Sequence, residues 1–134
     1  MIDPEPYVFD RVARAVLDRY PNAYVTSRYV EAPPQFPAVM VTQPDSSSLP
    51  GGADSSLRER FAVVTFKAEV CSNSESSAKS ECKEIISVIS EVMAKLNMTR
   101  RQCGPAANAV DPSIYRMTAR FTGVVGEDEK FYTR

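Results

Sequence analysis

Residues 61–97 read FAVVTFKAEVCSNSESSAKSECKEIISVISEVMAKLN, and a change of period inside this stretch decides the fold. Over residues 61–71 apolar residues alternate with Thr65, Lys67 and Glu69, and a period of two predicts a strand. From residue 78 onward the apolar positions are three and four residues apart, which predicts a long amphipathic helix. Because its apolar stripe would aggregate if exposed, we expect this helix to cover a sheet; the stripe comprises Ala78, Cys82, Ile85, Ile86, Ile89, Val92, Met93 and Leu96.

The two ends of this helix carry recognisable signals. Ser72 and Glu75 have the spacing of a capping box, which predicts the helix start. Asn97 suits the position just after a helix, where a left-handed backbone conformation is common.

The flanking sequence supplies the remaining elements. An amphipathic helix is predicted near the N-terminus, up to Pro21, with Asp3 as its N-cap. Two β-rich runs at 23–31 and 36–43 predict a hairpin, and later strands are expected at 98–103, 114–125 and 130–134. The sequence thus predicts one α+β domain over residues 1–134. A mixed or antiparallel sheet of about five to six strands is packed by two helices in the order α-β-β-β-α-β-β.

Residues 44–60, PDSSSLPGGADSSLRER, predict a long mobile loop. Serine, glycine, proline and acidic residues cannot bury enough apolar surface to offset the entropy of ordering the chain. A loop of this length is either functional or a disordered insertion, and both alternatives stay open.

Composition narrows the function classes. The 134 residues include no histidine, and the net charge of −1 gives no reason to expect nucleic-acid or anionic-membrane binding. The chain has three cysteines, Cys71, Cys82 and Cys103. Because their number is odd and their spacing is not that of pairs, we expect them to be reduced thiols in a cytoplasmic protein. Neither a signal peptide nor a membrane span is predicted.

The sequence predicts no catalytic, cofactor-binding or metal-ligating residues. Histidine, the commonest general base and metal ligand, is absent, and Gly51-Gly52 lacks the lysine of a phosphate loop. Cys103 follows Arg100 and Arg101, a cationic neighbourhood that could lower a thiol pKa. An enzyme using Cys103 is therefore kept as a third alternative, and the prediction is that the chain is not an enzyme.

The polar face of the strand over 114–125 is the most informative basic feature. Two arginines on one strand face suggest ion pairing with a neighbouring strand or with another subunit. Reversing both arginine charges to glutamate is expected to abolish assembly without altering the melting temperature. The residues of this face are Arg116, Thr118, Arg120 and Thr122.

Four features of the sequence together indicate a resemblance to a known family. They are the order of elements, the stretch IYRMTARFTGVV at 114–125, the acidic turn after it and the ending FYTR at 131–134. The chain resembles the tail-terminator and tail-to-head joining proteins of long-tailed bacteriophages, also called minor capsid or tail-completion proteins.

That resemblance implies a virion structural protein, made in the host cytoplasm and located at the tail neck. It implies a ring, usually a hexamer, whose partners are other copies, the major tail tube protein and the head connector; DNA would pass through the lumen without specific binding. The strand face of Arg116, Thr118, Arg120 and Thr122 would meet the neighbouring subunit. The long loop would contact the tail tube through Ser46, Ser47, Ser48, Leu49, Leu57, Arg58 and Arg60.

Two other readings remain. The chain could be a head-completion or neck connector subunit. It could instead be a small α+β protein-binding module that takes a peptide along an exposed sheet edge.

Overall fold

The computed structural model describes residues 3–30, 33–48, 61–106, 113–126, 128 and 130–132. It contains two helices and a mixed six-stranded sheet, which confirms the α+β class. The short sixth strand falls within the strand predicted at 130–134. In chain order these are α1 (Glu5–Arg19), β1 (Tyr24–Thr26), β2 (Ala38–Ser48), β3 (Phe61–Ser72), α2 (Ala78–Lys95), β4 (Thr99–Ala106), β5 (Tyr115–Gly126) and β6 (Phe131–Tyr132).

The strands are arranged in the order β1-β2-β3-β5-β4, and β6 pairs with the far end of β5. β3 and β5 pair along their whole lengths, from Phe61 opposite Gly126 to Ser72 opposite Tyr115. The predicted hairpin between the first two strands is wrong, because β1 runs parallel to β2. The residues between them return the chain to the end where β1 began, so the strand direction repeats.

Both helices pack on one face of the sheet. Val8, Val12 and Val16 of α1 join the buried side of α2 and the even-numbered residues of β3 in one core. Phe66 and Phe121, which lie opposite each other on β3 and β5, are the largest side chains fully buried there. Neither of the described helices covers the other face, which we call the open face.

Of the two predicted ends of α2, the C-terminal one is confirmed and the N-terminal one is wrong. Asn97 has a φ of 60°, as expected of a residue that ends a helix in the left-handed region. The predicted capping box at Ser72 and Glu75 is wrong, because β3 continues through Ser72 and α2 begins at Ala78. The Ser72 hydroxyl instead donates a hydrogen bond to the Glu81 carboxylate at 2.7 Å, which ties the end of β3 to the first turn of α2.

The prediction of a loop over residues 44–60 places the start of the loop too early in the chain. Residues 44–48 continue β2, and Ser46, Ser47 and Ser48 stand opposite Val64, Val63 and Ala62 of β3. A register shift between Thr42 and Asp45 accommodates the proline at position 44. Pairing with a strongly apolar strand therefore outweighs the low strand propensity of these serines. The rest of the predicted loop lies outside the described residues.

Candidate interaction surfaces

The open face is polar where it is uncovered. At one end, Ala38, Met40 and Cys71 are buried beneath Tyr24, Val30, Phe36 and Ile114, which form a small second core. Beyond this cluster the face is built from alternate residues of β3 and β5 and from Arg101 of β4, whose Nε donates to the Thr122 hydroxyl at 3.0 Å. Its polar side chains are Thr65, Lys67, Glu69, Arg101, Arg116, Thr118, Arg120 and Thr122.

Glu69 is the anionic centre of the open face. One carboxylate oxygen lies 2.8 Å from Nη1 of Arg116, and the other lies 2.6 Å from Nζ of Lys67. Glu69 is 7% exposed and Arg116 is 5% exposed, so their ion pair is shielded from water. The guanidinium also lies 5.7 Å from the ring centre of Tyr29, a residue that is itself 62% exposed.

The predicted interface residues therefore differ in role. Arg116 is buried and forms an ion pair with Glu69 of β3 in its own chain. Pairing with a neighbouring strand was one of the two alternatives that the sequence left open. Thr118, Arg120 and Thr122 are half-buried and lie on the uncovered part of the open face. The expectation that reversing both arginines would leave melting unchanged is wrong for Arg116, because a glutamate there would face Glu69 in a buried position.

Like charges meet directly on this face. Lys67 and Arg120 are register partners on β3 and β5, an arrangement that costs stability when nothing lies between the charges. Lys67 is paired with Glu69, whereas the guanidinium of Arg120 makes no hydrogen bond or ion pair with the residues that the structure describes. Among the described side chains of β3, β5 and Arg101 on this face, the cations are Lys67, Arg101, Arg116 and Arg120 and the carboxylate is Glu69, and Asp45 of β2, the register partner of Thr65, belongs to the same face.

A second surface lies at the corner where α1 begins and β5 ends. A cleft of about 520 Å³ opens there, and we call it the acidic corner. The Tyr7 and Phe131 rings are stacked with their centres 6.2 Å apart, and Asp3 and Asp128 are its lining carboxylates. Among the described residues, the lining is Asp3, Pro4, Pro6, Tyr7, Val125, Asp128 and Phe131.

Asp128 is held in a defined position. It accepts a hydrogen bond from the Tyr132 hydroxyl and another from the Lys130 backbone N–H at 3.1 Å. The Tyr132 bond lowers the pKa of Asp128 and raises that of Tyr132, so the aspartate stays ionised. Tyr132 also packs edge-on against Phe61, which fixes β6 to the start of β3.

Sequence reasoning missed this corner as a site. Asp3 and Asp128 lie near opposite ends of the sequence, so no local pattern predicts that they line one cleft. The aromatic residues Phe131 and Tyr132 beside the acidic turn after β5 were the available signal, because aromatic residues next to charges are common at contact surfaces.

The three thiols lie in two different environments. Cys71 and Cys82 are fully buried, and burial raises the pKa of both, that of Cys82 to about 12. Cys103 is exposed in a cleft of about 430 Å³ between α2 and β4. The alternative of an enzyme that uses Cys103 needs an accessible thiol of this kind. Lys79, Lys83 and Arg100 line this cleft, and the described part of its lining holds no carboxylate.

Other predicted calls fall outside what the structure describes. Leu49, Leu57, Arg58 and Arg60 are in the part of the loop that is not described, so their role against a tail tube stays a prediction. Across the described ranges, no group of three or more Cys, Asp or Glu side chains is placed to hold a metal ion. No described helix is both long and apolar enough to cross a membrane.

Comparisons with known proteins add no family. No protein-family model matches this chain, and no curated protein is significantly similar to it in sequence.

Proposed function

We propose that this chain is a virion structural protein that forms a ring at the head-proximal end of a phage tail tube. The ring ends tail polymerisation and joins the tail to the head connector. The observation that carries this proposal is the uncovered sheet face, where Arg120 stands opposite Lys67 with no partner among the described residues. A surface of this kind is costly in a lone molecule and is relieved by docking.

The geometry of the sheet also supports a docking role. β3 and β5 are paired over twelve positions and buried on one side by both helices, which makes the open face a rigid platform. Thr118, Arg120 and Thr122 lie on β5, between β3 and the edge strand β4, so a neighbouring subunit could contact them without any rearrangement of the backbone.

Two alternatives make different predictions. A head-completion subunit would bind the connector and leave tube polymerisation unaffected. A peptide-binding module would use a sheet edge, and the edge strand β4, with its bulge at Arg100–Gln102 and proline at 105, is the candidate edge for it. Such a module would stay monomeric in the presence of tail tubes.

Polymerisation of the tail tube tests the proposal. Purified chain is added to major tail tube protein from the same phage during polymerisation, and tube lengths and ends are measured by electron microscopy. We expect shorter tubes with a ring of density at one end. Unchanged tube lengths with bare ends would contradict the proposal, and binding to the connector alone would favour the head-completion role.

A matched pair of variants makes this assay specific. Arg120→Glu changes a half-buried cation of the open face, and Lys95→Glu changes an exposed cation at the end of α2. We expect Arg120→Glu to lose the capping activity at least tenfold, while Lys95→Glu caps like the unmodified chain. Circular dichroism and melting curves of both variants verify that the fold is retained.

A further inference from the structure

Two arginines of the open face, Arg101 and Arg120, form no ion pair with the side chains that the structure describes, so they can take a carboxylate from another molecule. Glu69 already serves both Lys67 and Arg116, so it cannot neutralise Arg120 and Arg101 as well. Arg101 is exposed, and only its Nε is engaged, with Thr122. The remaining guanidinium donors of these two arginines form a fork that suits carboxylate oxygens.

The acidic corner has the chemistry of a guanidinium receptor. Arginine is recognised by carboxylates, which accept its paired donors, and by aromatic faces, on which its planar group stacks. The corner offers Asp3 and Asp128 as carboxylates and the stacked Tyr7 and Phe131 as aromatic walls. Arg11 already lies 5.1 Å from the ring centre of Tyr7, which demonstrates that this ring accepts a guanidinium.

Both carboxylates retain capacity for a further partner. Asp3 accepts one hydrogen bond, from the Glu5 backbone N–H at 3.3 Å. Asp128 accepts bonds from Tyr132 and from the Lys130 backbone. A carboxylate has about four acceptor positions, so each can still accept bonds from an incoming arginine.

We propose that the acidic corner of one copy of this chain receives Arg101 and Arg120 from the open face of the next copy. This inference rests on the proposed ring and names the contact that would build it. The occupant of the cleft is thus a second copy, and the recognition is between guanidinium groups and an aromatic-walled pair of aspartates.

The two surfaces are placed for a head-to-tail contact. The corner is lined by the start of α1 and by Val125, on the helix side of the sheet, whereas Arg101 and Arg120 lie on the opposite face. Each copy therefore presents one receptor and one pair of arginines on opposite sides. A contact between different surfaces closes into a ring when its rotation allows and otherwise gives a filament.

The cations beside the corner set its selectivity. Arg11 and Lys130 flank the cleft, so a loosely placed positive charge gains little there. A guanidinium that reaches both aspartates and the aromatic walls makes directed bonds, which the flanking charges do not cancel. We therefore expect lysine to replace Arg101 and Arg120 poorly.

A charge swap tests the contact directly. Variant one carries Arg101→Glu and Arg120→Glu, and variant two carries Asp3→Arg and Asp128→Arg. Each reversed surface meets a like-charged native surface in its own assemblies, so we expect each variant alone to stay monomeric at concentrations at which the unmodified chain assembles. In an equimolar mixture every contact becomes complementary, and we expect assemblies with an even number of alternating subunits.

The controls and outcomes are distinct. Lys95→Glu and Asp18→Lys reverse exposed charges outside both surfaces and should assemble like the unmodified chain. Normal assembly of either double variant, or failure of the mixture while all variants remain folded, would overturn this contact and leave the ring proposal standing. An unmodified chain that never assembles, with or without tail tubes, would instead overturn the ring proposal.

Discussion

At the scale of single residues, the ion pair between Glu69 and Arg116 is the feature that most changes the interpretation of the sequence. The two residues are 47 positions apart, and each appears on its strand as an ordinary polar residue facing water. Their burial links β3 to β5 on the side that has no helix. The pair lies on the open face, and the partly exposed Arg120 on the same strand as Arg116 is the residue that we propose for docking.

Removing the carboxylate should therefore destabilise the fold. We expect Glu69→Ala to reduce the free energy of unfolding by about 3 kcal/mol, because it removes a carboxylate with which the buried Arg116 forms an ion pair. Asp10→Ala, which breaks the exposed pair between Asp10 and Arg14 on α1, should cost less than about 0.5 kcal/mol. Urea denaturation measures both, and equal losses would contradict the buried role of the pair.

The buried thiols predict a loss of stability at alkaline pH. Because burial raises the pKa of Cys82 to about 12, its thiol stays protonated in the folded chain while the unfolded thiol ionises near its usual value of about 8.5. The unfolded state then binds fewer protons, so stability falls as pH rises between those two values, by at most about 1.4 kcal/mol per pH unit from this group.

Denaturation under reducing conditions at pH 7.5, 9 and 10 tests this linkage. We expect Cys82→Ala to flatten the decline in unfolding free energy, and Cys71 and Tyr20, whose pKa values are also raised, to account for what remains. The comparison is between the slopes of unfolding free energy against pH, so any loss of stability from the alanine substitution that does not depend on pH cancels. Identical slopes for the variant and the unmodified chain would refute the burial effect at Cys82.

At the scale of elements, β2 is longer than its composition indicates. Its last residues are serines that pair with Val64, Val63 and Ala62 of β3. Deleting residues 46–48 should lower the unfolding free energy by about 2 kcal/mol, because strand hydrogen bonds contribute about 1 kcal/mol each. Replacing the same three residues with threonine keeps the backbone and suits a strand, so its stability should match or exceed that of the unmodified chain. A deletion without effect would show that these residues form a loop after all.

Hydrophobic periodicity predicted the features that depend on a single helix or strand. It missed the features that depend on contacts between two elements. The stripe of α2, the alternation of β3 and the left-handed Asn97 are local properties, and the structure confirms them. The parallel direction of β1 could not be read from its residues, because a period of two is the same in both directions. The burial of Arg116 and the meeting of Asp3 with Asp128 require the tertiary fold to bring distant residues together.

At the scale of the whole molecule, a net charge of −1 conceals two separated surfaces of opposite sign. The open face gathers cations from β3, β4 and β5, and the acidic corner gathers aspartates from the beginning and end of the chain. A molecule divided in this way has complementary surfaces for its own copies. Because both surfaces depend on charge, the proposed assembly should weaken as salt is raised from about 0.05 M to 0.5 M.

The mass of the purified chain in solution tests the central claim most directly. Native mass spectrometry and sedimentation are run over a range of concentrations at low salt, alone and with major tail tube protein. We predict a discrete closed oligomer, with six copies as the number that the resemblance implies, that persists on the tube. A chain that stays monomeric at every concentration and ignores the tail tube would contradict the account.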